Sequence, residues 1–261
     1  MAGKVVIIGA GPGPADLVTV RAVEILRKAE VVLHDALVST EVLALCSPSA
    51  QVINIGKRCG RRGATQEQIN SLMIHYARQG LIVARVKSGD PAVFGRLGEE
   101  LDALREAEIR FEIIPGVTAV AAAAAAAELT LTDRRSASAL TILAGHSAGP
   151  RVERRDPRDP EQTTFAIYMP GPDHGRTARE LMEWGIDAST PCAVVSNACR
   201  DNQQVRFLSL AGLASTEGIL APAVLIVGRV VSKIPNEVSN PNCYGEAWVG
   251  ESSIHEAIDA S

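Results

Sequence analysis

Two acid-bearing turns and one basic loop are the places in this sequence where chemistry can be done. The first turn is His34-Asp35-Ala36-Leu37-Val38, directly after the apolar run Val31–Leu33. A carboxylate there can act as general base if a proton must leave a substrate, or simply cap the next turn. His34 points to the opposite face if strand geometry persists, and it reads as structural. The second turn, Ser88-Gly89-Asp90-Pro91, follows Ile82–Val86. Asp90 can cap the following helix, accept hydrogen bonds from a ribose, or meet a cation. The loop Gly56–Arg62 reads GKRCGRR and carries Lys57, Arg58, Arg61 and Arg62. Such a run is either a solvated loop or a receiver for a polyanionic substrate, with arginine suited to bidentate carboxylate contacts. Asp133-Arg134-Arg135 adds charge from the second half of the chain.

A glycine loop opens the chain. Val5–Ile8 runs into Gly9-Ala10-Gly11-Pro12-Gly13-Pro14. A dinucleotide fingerprint spaces its glycines as G-x-G-x-x-G/A and needs backbone donors for a pyrophosphate. Here the glycines sit two apart, and Pro12 and Pro14 remove donors. The loop suits a tight turn against a neutral or cationic ligand. Two other readings stay open at this point. One is a nicotinamide-dependent oxidoreductase with Asp35 on a ribose; the other is a turn with no ligand.

The elements that must position these turns follow from short Val/Ile/Leu runs alternating with helical periodicity. Strands are expected near Val5–Ile8, Val31–Leu33, Val52–Ile55, Ile82–Val86 and Phe111–Ile114. Helices are expected between them, near Leu17–Lys28, Thr40–Leu45, Gln66–Arg78 and Gly95–Glu106. Thr65-Gln66-Glu67-Gln68 is a capping box. This β-α alternation predicts a mostly parallel sheet. Ile114-Pro115-Gly116 reads as a hinge, after which Thr118 caps a buried alanine helix, Ala121–Ala127. A second strand set follows at Leu140–Leu143, Thr164–Tyr168, Cys192–Val195, Val205–Leu208 and Val224–Val227. Ala148–Gln162 is charged and aperiodic, and reads as a mobile connection. The expected organisation is two α/β domains, 1–115 and 116–235, and a polar tail, 236–261.

Composition narrows the function classes. A net charge of −4 gives no global electrostatic case for nucleic acid. No apolar run reaches transmembrane length, and no signal-peptide pattern follows Met1. Cys46, Cys59, Cys192, Cys199 and Cys243 include no CxxC pair, so no metal site is expected and a reducing cytosol fits.

Taken in order, GAGPGPADL, HDALVS, GKR with QEQIN, KSGDPAVFGRLGEE, IPGVTA, FAIYM and APAVLIVGRVV resemble the tetrapyrrole (corrin/porphyrin) methyltransferase family from about Lys4 to Ser232. The resemblance implies two α/β domains with a cleft between them, unlike a Rossmann methyltransferase, and a cytoplasmic homodimer. It implies S-adenosylmethionine in that cleft, leaving as S-adenosylhomocysteine, and a tetrapyrrole such as uroporphyrinogen III as acceptor, methylated at C2 and C7. By motif it assigns Pro12, Ser88, Gly89, Asp90, Val93, Thr118, Ala119, Met169 and Ala198 to the cofactor. It assigns Asp35 and Lys57 as proton acceptor and proton donor. Arg58, Arg61, Arg62, Arg96 and Arg134 are the expected basic rim for substrate carboxylates.

The sequence departs from the family pattern in places. Ser88 stands where a first glycine is common, and Ala198 where glycine is common. Ala36 lacks the arginine that commonly follows the acid. Asp133 stands where histidine is common, and Ala92 and Leu97 replace a usual Phe and Gly. Most changes fall on the acceptor side, so methylation of a later precorrin is the nearest alternative. A silent ligand-binding module and the nicotinamide enzyme are the alternatives from other classes.

Overall fold

The computed structural model describes residues 3–56, 63–145, 159–171, 173–216 and 218–233. Ten strands fall into two five-stranded sheets. The first contains β1 (Lys4–Gly9), β2 (Val31–His34), β3 (Gln51–Asn54), β4 (Ile82–Lys87) and β5 (Phe111–Ile114), in the order β3-β2-β4-β1-β5. All its pairings are parallel. Its crossovers carry α1 (Val20–Leu26), α2 (Thr40–Leu43), α3 (Gln66–Arg78) and α4 (Leu97–Glu106). Parallel strands are covered on both faces, which is why β1 and β2 read as unbroken apolar runs rather than alternating ones. Val6, Ile8, Val32 and Val86 pack toward α1 and α2, and Val5, Ile7, Leu33 and Val83 toward α3 and α4.

Local signals set the helix ends. The α3 capping box forms as expected, with the Thr65 hydroxyl accepting from the Gln68 N–H and the Gln68 side chain accepting from the Thr65 N–H. The expected long first helix is shorter than its pattern. A 3-10 turn at Ala15–Leu17 precedes it, and the Thr19 hydroxyl caps α1. Thr19 offers a better N-cap than Pro14, so the helix starts there.

The second sheet is mostly antiparallel, unlike the first. It contains β6 (Ala139–Ala144), β7 (Thr163–Tyr168), β8 (Pro191–Ser196), β9 (Gln204–Ser209) and β10 (Ala223–Val227), in the order β6-β7-β10-β8-β9. Only β6 and β7 pair in parallel; β7-β10, β10-β8 and β8-β9 are antiparallel. The reason lies in the connections. Only the turn Asn197–Gln203 separates β8 from β9, too short for the crossover that a parallel pair needs. The remaining helices are α5 (Ala119–Ala126), α6 (His174–Glu183) and α7 (Leu210–Leu213).

The alanine run forms α5, with Val120, Ala123, Ala124 and Ala126 buried against β7, β8 and β10. Thr118 occupies the N-cap position but makes no side-chain cap bond. Its hydroxyl instead meets the Tyr168 hydroxyl at 2.6 Å, and Tyr168 also accepts from the Val120 N–H at 2.8 Å. A residue of the second sheet thus caps the helix that follows the hinge. Most of the charged connection Ala148–Gln162 lies outside the described residues, and its last residues form a 3-10 turn, Pro160–Gln162.

Candidate functional site

The carboxyl ends of β1, β2 and β4 open into a cleft of about 830 Å³ facing the second sheet. That size falls within the range of sites for small ligands, roughly 300–1,000 Å³. The glycine loop is one wall. Its Ala10 and Gly11 donors are already used, on the Lys87 carbonyl at 2.8 Å and the Gly89 carbonyl at 3.2 Å. The Gly89 N–H returns a bond to the Gly11 carbonyl at 2.7 Å. The two turns therefore brace each other, which leaves a pyrophosphate few partners in the loop. Gly9 is required by close approach, because a Cβ there would stand 2.5 Å from the backbone nitrogen of Gly116. The hinge is thus pressed onto the end of β1.

Asp35 lines the cleft, and its side chain is about one-third exposed. Its Oδ1 accepts from Arg85 Nη2 at 2.7 Å. Arg85 is itself buried at 2% exposure and donates through Nε to Glu100 Oε1 at 3.1 Å. Lys87 Nζ reaches the same oxygen at 2.9 Å, and Gln66 Nε2 lies 3.4 Å from it. Glu100 is fully buried, and its Oε2 has no partner among the described residues. Burial holds the Lys87 amine below the ordinary lysine range, Arg85 pushes the same way, and Glu100 and Asp35 oppose both. Asp35 is therefore the outer member of a buried chain of alternating charges. Its carboxylate is oriented from beneath, and Oδ2 carries no side-chain hydrogen bond among the described residues. The signal in the sequence was Ile82-Val83-Ala84-Arg85-Val86-Lys87, where two cations two apart fall on one face of a strand.

Asp90 is not a helix cap. Its Oδ1 accepts from the Ala92 N–H at 2.8 Å and its Oδ2 from the Gly116 N–H at 3.0 Å, so it ties the Ser88 turn to the hinge. Helix α4 begins seven residues later, at Leu97, behind Phe94 and Arg96 in left-handed backbone. His34 is buried, with Nδ1 3.0 Å from the Asp35 carbonyl, as a structural residue would be.

The opposing wall comes from the second half: Tyr168, Met169 and His174 on one side, Val195, Asn197, Ala198 and Arg200 on the other. Met169 and Asn197 have positive φ, 48° and 50°, which turns the chain sharply at the cleft. Met169 and Phe94 are each 43% exposed, and Leu37 is also exposed, so the walls present apolar surface to a ligand. The Phe94 and Tyr168 rings lie 5.3 Å apart across the cleft. Burial raises the Tyr168 hydroxyl's pKa and lowers that of His174, whose Nδ1 has no partner among the described residues.

The structure brings Pro12, Asp35, Ser88, Gly89, Asp90, Val93, Thr118, Ala119, Met169 and Ala198 together around this one cleft. Lys57, Arg58, Arg61 and Arg62 lie outside the described residues. Arg96 and Arg134 are described but are not among the lining residues. Arg96 pairs with Glu99 at 2.6 Å on an exposed surface, and Arg134 is exposed beside the Arg135–Asp133 pair. Sequence reading missed Arg85, Lys87, Glu100, His174 and Arg200.

The Tetrapyrrole (Corrin/Porphyrin) Methylases model matches residues 4–214. The chain belongs to this family. The methylase is 40% identical over 250 residues to the uroporphyrinogen-III C-methyltransferase of Paracoccus denitrificans, covering 92% of this chain and 87% of that protein. Among solved structures it resembles a Thermus thermophilus uroporphyrin-III C-methyltransferase complexed with S-adenosylhomocysteine. The TM-score is 0.76 with 34% identity, over 88% of this chain and 99% of that one. A cobalt precorrin-4 methyltransferase is matched with a TM-score of 0.76 and 30% identity, over 87% of this chain and 95% of that one. The methylase spans 65% of the length of a chloroplastic uroporphyrinogen III methyltransferase from Arabidopsis thaliana and 50% of a siroheme synthase from Pseudoalteromonas translucida, both 37% identical.

Proposed function

We propose that this methylase transfers methyl groups from S-adenosylmethionine to uroporphyrinogen III at C2 and C7, giving precorrin-2 for sirohaem or cobalamin synthesis. The observation that carries the reading is the cleft itself. It places a carboxylate held by Arg85, that of Asp35, at the edge of an enclosure with much apolar lining and room for a methyl donor. The names of relatives at 37–40% identity support the same acceptor.

The residues present fit the donor. The exposed Met169 and Phe94 offer apolar surface, and Ser88 and Gly89 present a turn whose backbone is already braced. Gly89 has φ +70°, and an added Cβ would meet nothing closer than 3.8 Å, so a ligand can approach this backbone closely. S-adenosylmethionine supplies a methyl already activated on a sulfonium. What remains for the protein is alignment and charge management. Attack by a pyrrole carbon leaves positive charge on the ring system, and loss of a proton completes the step. Asp35 stabilises that charge and accepts the proton through Oδ2, while Arg85 holds Oδ1. Lys57 acts as the proton donor, and Arg58, Arg61 and Arg62 receive substrate carboxylates. The methylase works as a homodimer in the cytosol.

A second reading, methylation of a later precorrin, is favoured by the equal TM-score to the cobalt precorrin-4 enzyme. Anaerobic incubation with uroporphyrinogen III and S-adenosylmethionine separates the two. A doubly methylated product is expected. Donor binding without methylated uroporphyrinogen contradicts the first reading, and turnover of a later precorrin alone establishes the second.

A further inference from the structure

Arg200 belongs to the second half of the chain but reaches into the first. It follows β8 in a turn closed by its own N–H donating to the Asn197 carbonyl at 3.0 Å. Its Nε donates to the Pro12 carbonyl at 3.0 Å and its Nη2 to the Leu37 carbonyl at 2.9 Å. One acceptor lies in the glycine loop and the other in the turn that carries Asp35. Gly13 leaves the room, since a Cβ there would stand 3.0 Å from Arg200 Nε.

Among the described residues Arg200 has no carboxylate partner, and burial lowers its pKa. The other charged side chains that line the cleft already have a charged or backbone partner. Asp35 pairs with Arg85 and Lys87 with Glu100, and Asp90 accepts two backbone N–H groups. A half-buried guanidinium supported only by neutral carbonyls is an electrostatic mismatch that an incoming anion corrects. Among the described residues its Nη1 carries no hydrogen bond, so the group keeps donors for a carboxylate.

We propose that Arg200 is the receptor for a carboxylate of the tetrapyrrole, fixing which part of the macrocycle faces Asp35. This inference rests on the proposed function, because uroporphyrinogen III is a polycarboxylate. It adds a cleft-lining cation to the expected rim, whose described members, Arg96 and Arg134, are not among the lining residues.

The test compares wild type with Arg200→Gln and Arg200→Lys. Calorimetry gives S-adenosylhomocysteine affinity. Fluorescence titration gives affinity for uroporphyrin III, the stable oxidised macrocycle with the same carboxylates, at low and high salt. Initial rates with uroporphyrinogen III separate kcat from KM. Arg200→Gln should weaken uroporphyrin binding and raise KM by about 10–100-fold, with a shallower salt dependence. S-adenosylhomocysteine affinity should stay within about threefold, and Arg200→Lys should fall between, because it keeps the charge but loses the planar fork. Unchanged uroporphyrin affinity overturns the proposal. So does an equal loss of both ligands, which would mean that the guanidinium only ties the two halves together. If Arg200→Gln does not fold, Arg200→Lys decides alone: a loss of about fivefold for uroporphyrin with the other ligand intact supports the proposal, and no loss overturns it. Wild-type protein that binds uroporphyrin but methylates nothing defeats the proposed function, while the binding comparison still decides the role of Arg200.

Discussion

On the wall built by the first sheet, the described charged side chains are engaged before any ligand arrives. Asp35, Arg85, Glu100 and Lys87 form a continuous buried chain, and Asp90 is tied to the hinge. The wall built by the second sheet is mostly apolar or aromatic. Its polar organiser is Tyr168, and Arg200, a charged side chain of this wall, lacks an acid partner among the described residues. The difference reflects the sheets themselves. A parallel sheet covered on both faces can hold charges beneath its carboxyl edge, where desolvation makes orientation strict. The alanine helix lets the second half come close to its own sheet, at the cost of side chains long enough to build such a chain. One wall orients a carboxylate and the other shapes the space above it.

Glu100→Gln is the strongest way to break this contrast. It leaves Arg85 and Lys87 buried without their shared anion, and loss of one partner of a buried pair costs about 3–5 kcal/mol. Denaturant unfolding should show a lower midpoint, with Asp35 released from its fixed orientation. A change under about 1 kcal/mol would mean that the charges are not coupled as drawn. Tyr168→Phe acts on the other wall. It removes the acceptor of the Val120 N–H and the partner of Thr118, and should cost about 1–3 kcal/mol. Hydrogen exchange should increase first at the start of α5. Uniform protection across α5 would deny Tyr168 its capping role.

The smallest effect is a pH dependence. His174 is buried and its folded-state pKa lies below the ordinary value, so the folded protein favours the neutral ring and the unfolded chain binds the proton more readily. Its contribution is complete above the unfolded pKa of about 6.5 and is lost as pH falls below that value. His174→Phe should therefore reduce the fall in Tm between about pH 6.5 and 5 by about 1–2 °C. An unchanged slope would remove His174 from the account.

Strand positions and the α3 cap were legible because their causes are local: apolar runs, and a Thr–Gln pair three residues apart. The antiparallel pairing of the second sheet was not, since it depends on how short connections return the chain rather than on strand composition. The same division runs through the site. Asp35 and the Ser88-Gly89-Asp90 turn were found because they end apolar runs. Arg200 was missed because nothing in Asn197-Ala198-Cys199-Arg200 hints that its side chain crosses to the opposite half. Arg96 has a partner that was legible. Glu99 three residues on already offered it a partner, and the structure uses that pair. Glu100 could not be read as the buried anion without knowing that Arg85 and Lys87 stand behind it.

Asp35 is proposed to serve the methyl transfer itself rather than the binding of the donor. Asp35→Ala tested in one preparation, for turnover with uroporphyrinogen III and for S-adenosylhomocysteine affinity by calorimetry, addresses it directly. The account predicts that turnover falls by about 10²–10⁴-fold while affinity stays within about threefold. Equal loss of turnover and affinity, or turnover that survives the substitution, would contradict it.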